Sequence, residues 1–356
     1  MKLLYSEDLQ FLAIGSAILG SGGGGDPKYE SLIADYLLKK NGPVKIISID
    51  DLKDDDLILP IEIMGAPLIT KEKIFSQKEF EAIINEIKKI YKNRNIILMA
   101  GEIGGANAFI PIIAGSILNL PILDGDSLGR AFPELQMSSM NLNNVSPSPS
   151  IIADSFGNIK VIMKKSASAL EKEARQITIT MGSSAAICFY IMDGKTAKKS
   201  IIKNTLSKAI KIGKIVSKLK LKNFDIFKYF EQKLNAKIIV KGIVVDVNQK
   251  VKDGFLQGDV IISDEDEKYT IHYQNENLIC KKKSKVIVST PDIISILDAQ
   301  SFEAITSESL KFGQRVIVIA MPSEKIWQTK KGLKLVGPKV FGYDIEYKPI
   351  LKRIVL

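Results

Sequence analysis

The chain is poor in the residues that most often carry metal and covalent chemistry: its 356 residues include one histidine, two cysteines and one tryptophan. Cys188 and Cys280 are too few for a disulfide framework and neither belongs to a Cys-x-x-Cys pair, so a reducing compartment is expected. The lone histidine, His272, lies in a strand-like stretch beside Gln274-Asn275-Glu276-Asn277, and no nucleophile is identified to complete a triad with it. No apolar run approaches the ~20 residues of a membrane span, and Glu7 and Asp8 interrupt the first residues before a signal-peptide pattern forms. The expectation is a cytoplasmic protein with no membrane partner, whose chemistry rests on carboxylates, amides and hydroxyls.

Apolar residues are plentiful: at 46% hydrophobic, a chain of this length buries a large core, divided between two domains. The net charge of +10 belongs to the second half, since residues 1–163 hold 15 basic and 20 acidic side chains and residues 164–356 hold 35 and 20. Much of that excess lies in residues 195–222, where lysines alternate with Ile201, Ile202, Leu206, Ile210, Ile215 and Val216 at helical spacing. The pattern is an amphipathic helix with a lysine-rich solvent face; an anionic partner for that face is the alternative, and nucleic acid is not expected.

Segments 6–19 and 27–39 read as helices, the second with Pro27 near its first turn. Apolar runs at 44–49, 57–63, 96–100 and 121–123 read as strands. They alternate with helices at 77–91, where Phe80, Ile83, Ile84, Ile87 and Ile90 face inward, and at 106–118, broken early by Pro111. This alternation predicts an α/β N-terminal domain, residues 1–164, with a mostly parallel layered sheet. Strands at 151–153 and 159–163 flank a Phe156-Gly157-Asn158 turn just before the boundary. Residues 165–356 are predicted as an α+β domain, with helices over about 166–230. From about 236 the period changes to two, in short runs at 238–247, 259–263, 268–273, 285–289 and 315–320, which predicts a β-rich, barrel-like part.

Three segments are hard to explain by packing alone. Gly20-Ser21-Gly22-Gly23-Gly24-Gly25-Asp26 gives up five side chains in seven positions, as a backbone does where it takes positive φ or approaches something closely. It follows a helix and lacks the lysine of a phosphate loop, so neither a phosphate loop nor a nucleotide cofactor is expected. What remains is a nest of N–H groups for an anion or oxyanion, with Asp26 as cap or acid, or else a plain tight turn. The strand at 96–100 runs into Gly101-Glu102-Ile103-Gly104-Gly105-Ala106-Asn107, and that at 121–123 into Asp124-Gly125-Asp126-Ser127-Leu128-Gly129-Arg130. Ligands of open α/β sheets bind at such carboxyl ends, so the two segments are expected to share a crevice, with Met64-Gly65-Ala66-Pro67 as a wall. Glu102, Asn107, Asp124 and Asp126 are the candidate catalytic residues, and Glu102, Asp124 and Asp126 the candidate ligands of a divalent metal. Gly22, Gly23, Gly24, Gly25, Asp26, Gly104, Gly105 and Arg130 are the candidate substrate-binding residues. The competing reading is helix capping with a structural Arg130–carboxylate pair.

These motifs, in this order and with Ala131-Phe132-Pro133-Glu134-Leu135-Gln136-Met137 continuing the third, resemble the S-methyl thiohydantoin desulfurase-like family. The resemblance extends through Gly242-x-Val244-Val245-Asp246, Gly254-Phe255-x-x-Gly258, Gln274-Asn275-Glu276-Asn277, Pro291-Asp292-Ile293, Phe312-Gly313-x-Arg315-Val316 and Gly337-Pro338-x-x-Phe341-Gly342-Tyr343-Asp344. Ser21 stands where the family more usually carries threonine, which keeps a hydroxyl. The resemblance implies an α/β domain followed by one with a β-rich part, and hydrolytic loss of methanethiol from a methylthio-substituted hydantoin-like ring. In that chemistry water adds to an amidine-like carbon, with Glu102 or Asp124 suited to deprotonate it and Asn107 and the glycine N–H groups to steady the ring. A homo-oligomer is expected. A non-catalytic subunit working beside a hydantoinase/oxoprolinase-type partner is the alternative.

Overall fold

Ile96–Ala100 reads Ile-Ile-Leu-Met-Ala and is buried along its whole length, as a strand covered on both faces must be. The computed structural model describes residues 2–65, 76–221, 226–252, 254–265 and 267–352. It divides into two units: residues 1–10, 27–128 and 134–207 form the first, and residues 11–26, 129–133 and 208–356 the second. Helix Ala167–Thr180 and strand Ser184–Cys188 lie in the first of these units, and the glycine run and Arg130 in the second.

Among the described residues, the first unit is built on a nine-stranded mixed sheet. Val44–Ile47, Ile122–Leu123, Ile96–Ala100 and Leu57–Gly65 form its parallel ladder, in that order. Lys2–Leu4 adds to one edge, Ser184–Cys188, Ser150–Ala153 and Ile159–Ile162 extend the other antiparallel, and Met192–Asp193 pairs with Leu57–Gly65. Ile61 lies opposite Ala100, so Glu62 and Gly101 leave the ladder together at its carboxyl edge.

Helix Gln77–Ile90 starts at a capping box between Ser76 and Glu79 and buries Phe80, Ile83, Ile84 and Ile87. Ile90, expected inward, is 44% exposed because the helix ends there. Pro111 does not break a helix: a 3-10 turn, Ala106–Phe109, hands over to α-helix Ile110–Leu118, and proline occupies its first turn, where no N–H is missed. Ala66 and Pro67 lie outside the described residues.

The single lysine-rich helix expected over 195–222 is instead Gly194–Ser200, a two-residue strand Ile202–Lys203, helix Thr205–Ser217 and the 3-10 turn Lys218–Leu221. Ile202 and Lys203 pair with Asp126 and Gly125, and Asn204 takes φ 61°, so helical spacing of apolar residues survived a break in the helix.

Among the described residues, the second unit carries a seven-stranded antiparallel sheet curled into a half-barrel, in the order Lys285–Ser289, Glu276–Lys282, Glu267–Gln274, Phe255–Asp264, Lys237–Lys252, Arg315–Met321, Ile293–Asp298. The 16-residue strand Lys237–Lys252 bends at two register shifts, between Ile238 and Val240 and between Val244 and Asp246. Two glycines let helices approach closely here. A Cβ on Gly15 would lie 1.8 Å from the Ala209 carbonyl oxygen, and one on Gly213 1.8 Å from that of Phe11.

Candidate active site

At the carboxyl edge of the first unit's parallel ladder, Gly101 makes room for Glu62. A Cβ at Gly101 would fall 2.1 Å from Glu62 Oε2 and 3.0 Å from Phe189 Cζ, so carboxyl and ring edge both crowd the space a larger residue would fill. Burial raises the Glu62 carboxyl to about 8, and the Glu171 charge adds to the rise. Glu171 is buried as well, but it accepts hydrogen bonds from Arg175 Nε at 2.8 Å and from Leu135 N at 3.1 Å. Tyr190, fully buried, holds an unusual φ of 48°.

Asn107 joins this edge together. Its Oδ1 accepts from Ile63 N at 2.9 Å, and its Nδ2 donates to Glu102 Oε1 at 2.9 Å. The residue after Glu62 and the carboxylate of Glu102 are thus held by one carboxamide. Glu102 is half-buried.

The two aspartates reach other groups. Asp126, fully buried, accepts from Ile103 N at 2.8 Å and Leu128 N at 3.1 Å, which folds the two strand-end loops against each other; Ser127 Oγ adds a bond to the Gly101 carbonyl at 2.6 Å. Asp124 accepts from Ser207 N at 3.0 Å and Ser207 Oγ at 2.5 Å, in the first turn of helix Thr205–Ser217. Gly104 and Gly105 are buried, and Gly105 takes φ 82° to start the 3-10 turn. Among the described residues no three His, Cys, Asp or Glu side chains gather into a metal-binding group; the carboxylates of Asp124 and Asp126 are engaged by N–H and hydroxyl donors.

In the second unit the glycine run is a strap laid on the half-barrel. Ser21 Oγ donates to the Ile294 carbonyl and accepts from Ile294 N, both at 3.0 Å. Asn277 N donates to the Ser21 carbonyl at 2.6 Å, and Ser307 N to the Gly22 carbonyl at 2.8 Å. Gly22 and Gly23 are buried, and a Cβ on Gly23 would meet Glu276 Oε1 at 2.1 Å. Gly24, Gly25 and Asp26 are half-buried, the two glycines at φ 71° and 77°. Arg130, 1% exposed, donates from Nε to the Ala131 carbonyl at 2.8 Å and from Nη1 to the carbonyls of Pro291 and Asp292 at 2.7 and 2.9 Å. Its guanidinium carbon lies 4.6 Å from the Phe132 ring centre.

Family models describe both parts of the chain: residues 7–164 match the S-Me-THD-like N-terminal domain and residues 165–350 the S-Me-THD-like C-terminal domain. The chain belongs to the S-Me-THD-like family. A crystal structure of a protein from Chromobacterium violaceum, Northeast Structural Genomics Consortium target CvR68, superposes on this S-Me-THD-like chain with a TM-score of 0.83 at 21% identity. It covers 98% of this chain and 100% of that one, a likeness of fold. No curated protein matches the chain.

Sequence patterns pointed to Glu102, Asn107 and the glycine strap of this S-Me-THD-like chain, but passed over Glu62 and Glu276. Glu62 had a signal, as the one charged residue in the apolar run Leu57-Ile58-Leu59-Pro60-Ile61-Glu62-Ile63-Met64. Glu276 stood in a motif quoted for the resemblance and was assigned no role.

Proposed function

We propose that the protein is a hydrolase of a hydantoin-like five-membered ring, and that it removes methanethiol from an S-methyl thiohydantoin. The observation that carries this reading is the Glu62 carboxyl, buried against Gly101 and proton-bearing near neutral pH, beside a loop whose Glu102 carboxylate is oriented by Asn107. Two carboxyl groups with such different surroundings suit an acid and a base. Glu62 donates its proton to the ring nitrogen, which makes the carbon between nitrogen and sulfur electrophilic. Water adds to that carbon and gives a proton to Glu102. The C–S bond then breaks, its electron pair leaving with sulfur. Glu102 returns its proton to the thiolate, and the new hydroxyl returns one to Glu62 as the carbonyl forms. The products are the hydantoin and methanethiol, and both carboxyls end as they began.

Family membership supports the class of substrate. A homo-oligomeric state, a cytoplasmic setting and a hydantoinase-type partner complete the proposal. The test is release of methanethiol, followed with a thiol reagent, from S-methyl thiohydantoin by the purified chain and by the Glu62→Gln and Glu102→Gln variants. Turnover by the wild type, falling by about 10²-fold or more in each variant, is the expected result. Saturable ring binding without turnover would instead indicate a binding subunit.

A further inference from the structure

The second unit holds two buried charged groups that the hydrolase reading leaves unused. Arg130 spends Nε and Nη1 on three carbonyls, yet Nη2 is buried with no hydrogen-bond partner among the described residues. Glu276, 2% exposed, has Oε2 buried in the same condition. An unpaired buried donor on a cation is costly, so both atoms point to something that completes them.

The surroundings narrow the ligand. Burial pulls the Arg130 guanidinium down to about 10, with the Glu276 and Asp292 carboxyls opposing, so it remains a cation at neutral pH. Asp292 is the second carboxyl that acts on the guanidinium, but its oxygens are taken by Ser323 N at 2.9 Å, Tyr347 Oη at 2.8 Å and Ile350 N at 2.7 Å. Burial raises Glu276 to about 8, and the Glu308 charge adds to this while Arg130 and the Gly24 N–H pull the other way. At neutral pH the groups on offer are therefore a guanidinium nitrogen with two free N–H bonds and a protonated carboxyl able to donate.

We propose that the second unit binds a small monocarboxylate at Arg130 beneath the glycine strap, with Glu276 donating a hydrogen bond to the same ligand. A charge-assisted bond to an anionic oxygen is the strongest partner for an unpaired guanidinium N–H, and a neutral acid beside it favours the same anion. A single guanidinium suits a single negative charge better than a phosphate dianion. The strap meets solvent at Gly24, Gly25 and Asp26, which are half-buried where Gly22 and Gly23 are not. This inference stands on the second unit alone and survives failure of the hydrolase reading.

The probe is sodium acetate, with sodium chloride at equal ionic strength as control and neutral hydantoin as competitor, read by thermal shift on the full chain. The expected result is a saturable rise in Tm with acetate at pH 6–7 that chloride does not give and Arg130→Met lacks. In the wild type, acetate affinity falls by about tenfold per pH unit above the Glu276 transition near 8, whereas Glu276→Gln, a permanent donor, holds its affinity there. The pH course of the wild type serves where Arg130→Met fails to fold. Three outcomes overturn the proposal: acetate acting no better than chloride, hydantoin protecting as well and displacing acetate, or Glu276→Gln following the wild-type pH course.

Discussion

Glu62 and Gly101 occupy one space: the carboxyl of the first fills the volume that any side chain on the second would need, with only 2.1 Å left for a Cβ. The second unit repeats the arrangement between Glu276 and Gly23, again at 2.1 Å. In both places a glycine shortens the distance between backbone and carboxyl, water is excluded, and the acid holds its proton to about 8. Burial of an acid by a glycine is thus a device this chain uses twice.

Stability should fall as pH rises through the neutral range. Glu62 and Glu276 each ionise near 4.5 when free and near 8 in the fold, so between those values the unfolded chain gives up protons that the native chain keeps. Each group lowers stability by up to about 1.4 kcal/mol per pH unit across that window, and the loss levels off above it. Melting curves from pH 5 to pH 8 should show a falling wild-type Tm and a flatter course in Glu62→Gln and Glu276→Gln, with each variant the more stable protein at pH 8. A wild-type Tm that does not fall would refute the assignment.

Asp124 and Glu102 should separate when each loses its charge. Asp124 holds the first turn of helix Thr205–Ser217 through two bonds to Ser207, so Asp124→Asn is expected to cost about 1–3 kcal/mol and leave turnover within a few-fold. Ser207→Ala should reproduce that loss. Glu102→Gln should do the reverse, with Tm nearly kept and turnover lost. Parallel melting and methanethiol assays decide between them.

The apolar pattern made most of the scaffold legible. Ile96–Ala100 and Lys285–Ser289 end where the pattern ends, and Ser76 and Ser166 cap the helices that follow them. Strand Glu276–Lys282 was not legible, because it opens with a buried acid and a buried amide, which interrupt the apolar alternation that marks a strand in sequence. The assignment of Arg130 and the glycine run to the second unit was hidden for another reason: strand periodicity reports local faces and carries no information about which distant segment covers them. At the site, strand-end glycines and acids marked the edge, but the same acids serve as loop clasps at Asp126 and as a helix clasp at Asp124, a choice that spacing does not encode.

The two thiols should be silent in the native protein. Cys188 and Cys280 are fully buried, and burial pushes both thiols up, Cys280 to about 12, so neither thiolate forms at working pH. Ellman's reagent at pH 8 should find no reactive thiol before denaturation and two after it. Rapid labelling of Cys280, which neighbours Lys281, Lys282 and Lys283, would reveal an opening of the half-barrel that its burial contradicts.

Gly15→Ala should be among the most damaging single substitutions in the second unit. Its Cβ would stand 1.8 Å from a backbone oxygen of Ala209, which cannot swing aside as a side-chain tip can, so helix Thr205–Ser217 must move. Gly213→Ala meets the Phe11 carbonyl at the same distance and should do the same. Overpacking of this kind costs about 1–3 kcal/mol or more, a Tm loss of several degrees or failure to fold. Gly23→Ala, whose contact is the movable Glu276 carboxyl, should cost less in Tm while shifting the pH course of stability. Equal Tm losses for Gly15→Ala and Gly23→Ala would mean that the helix crossing yields as easily as a side chain does.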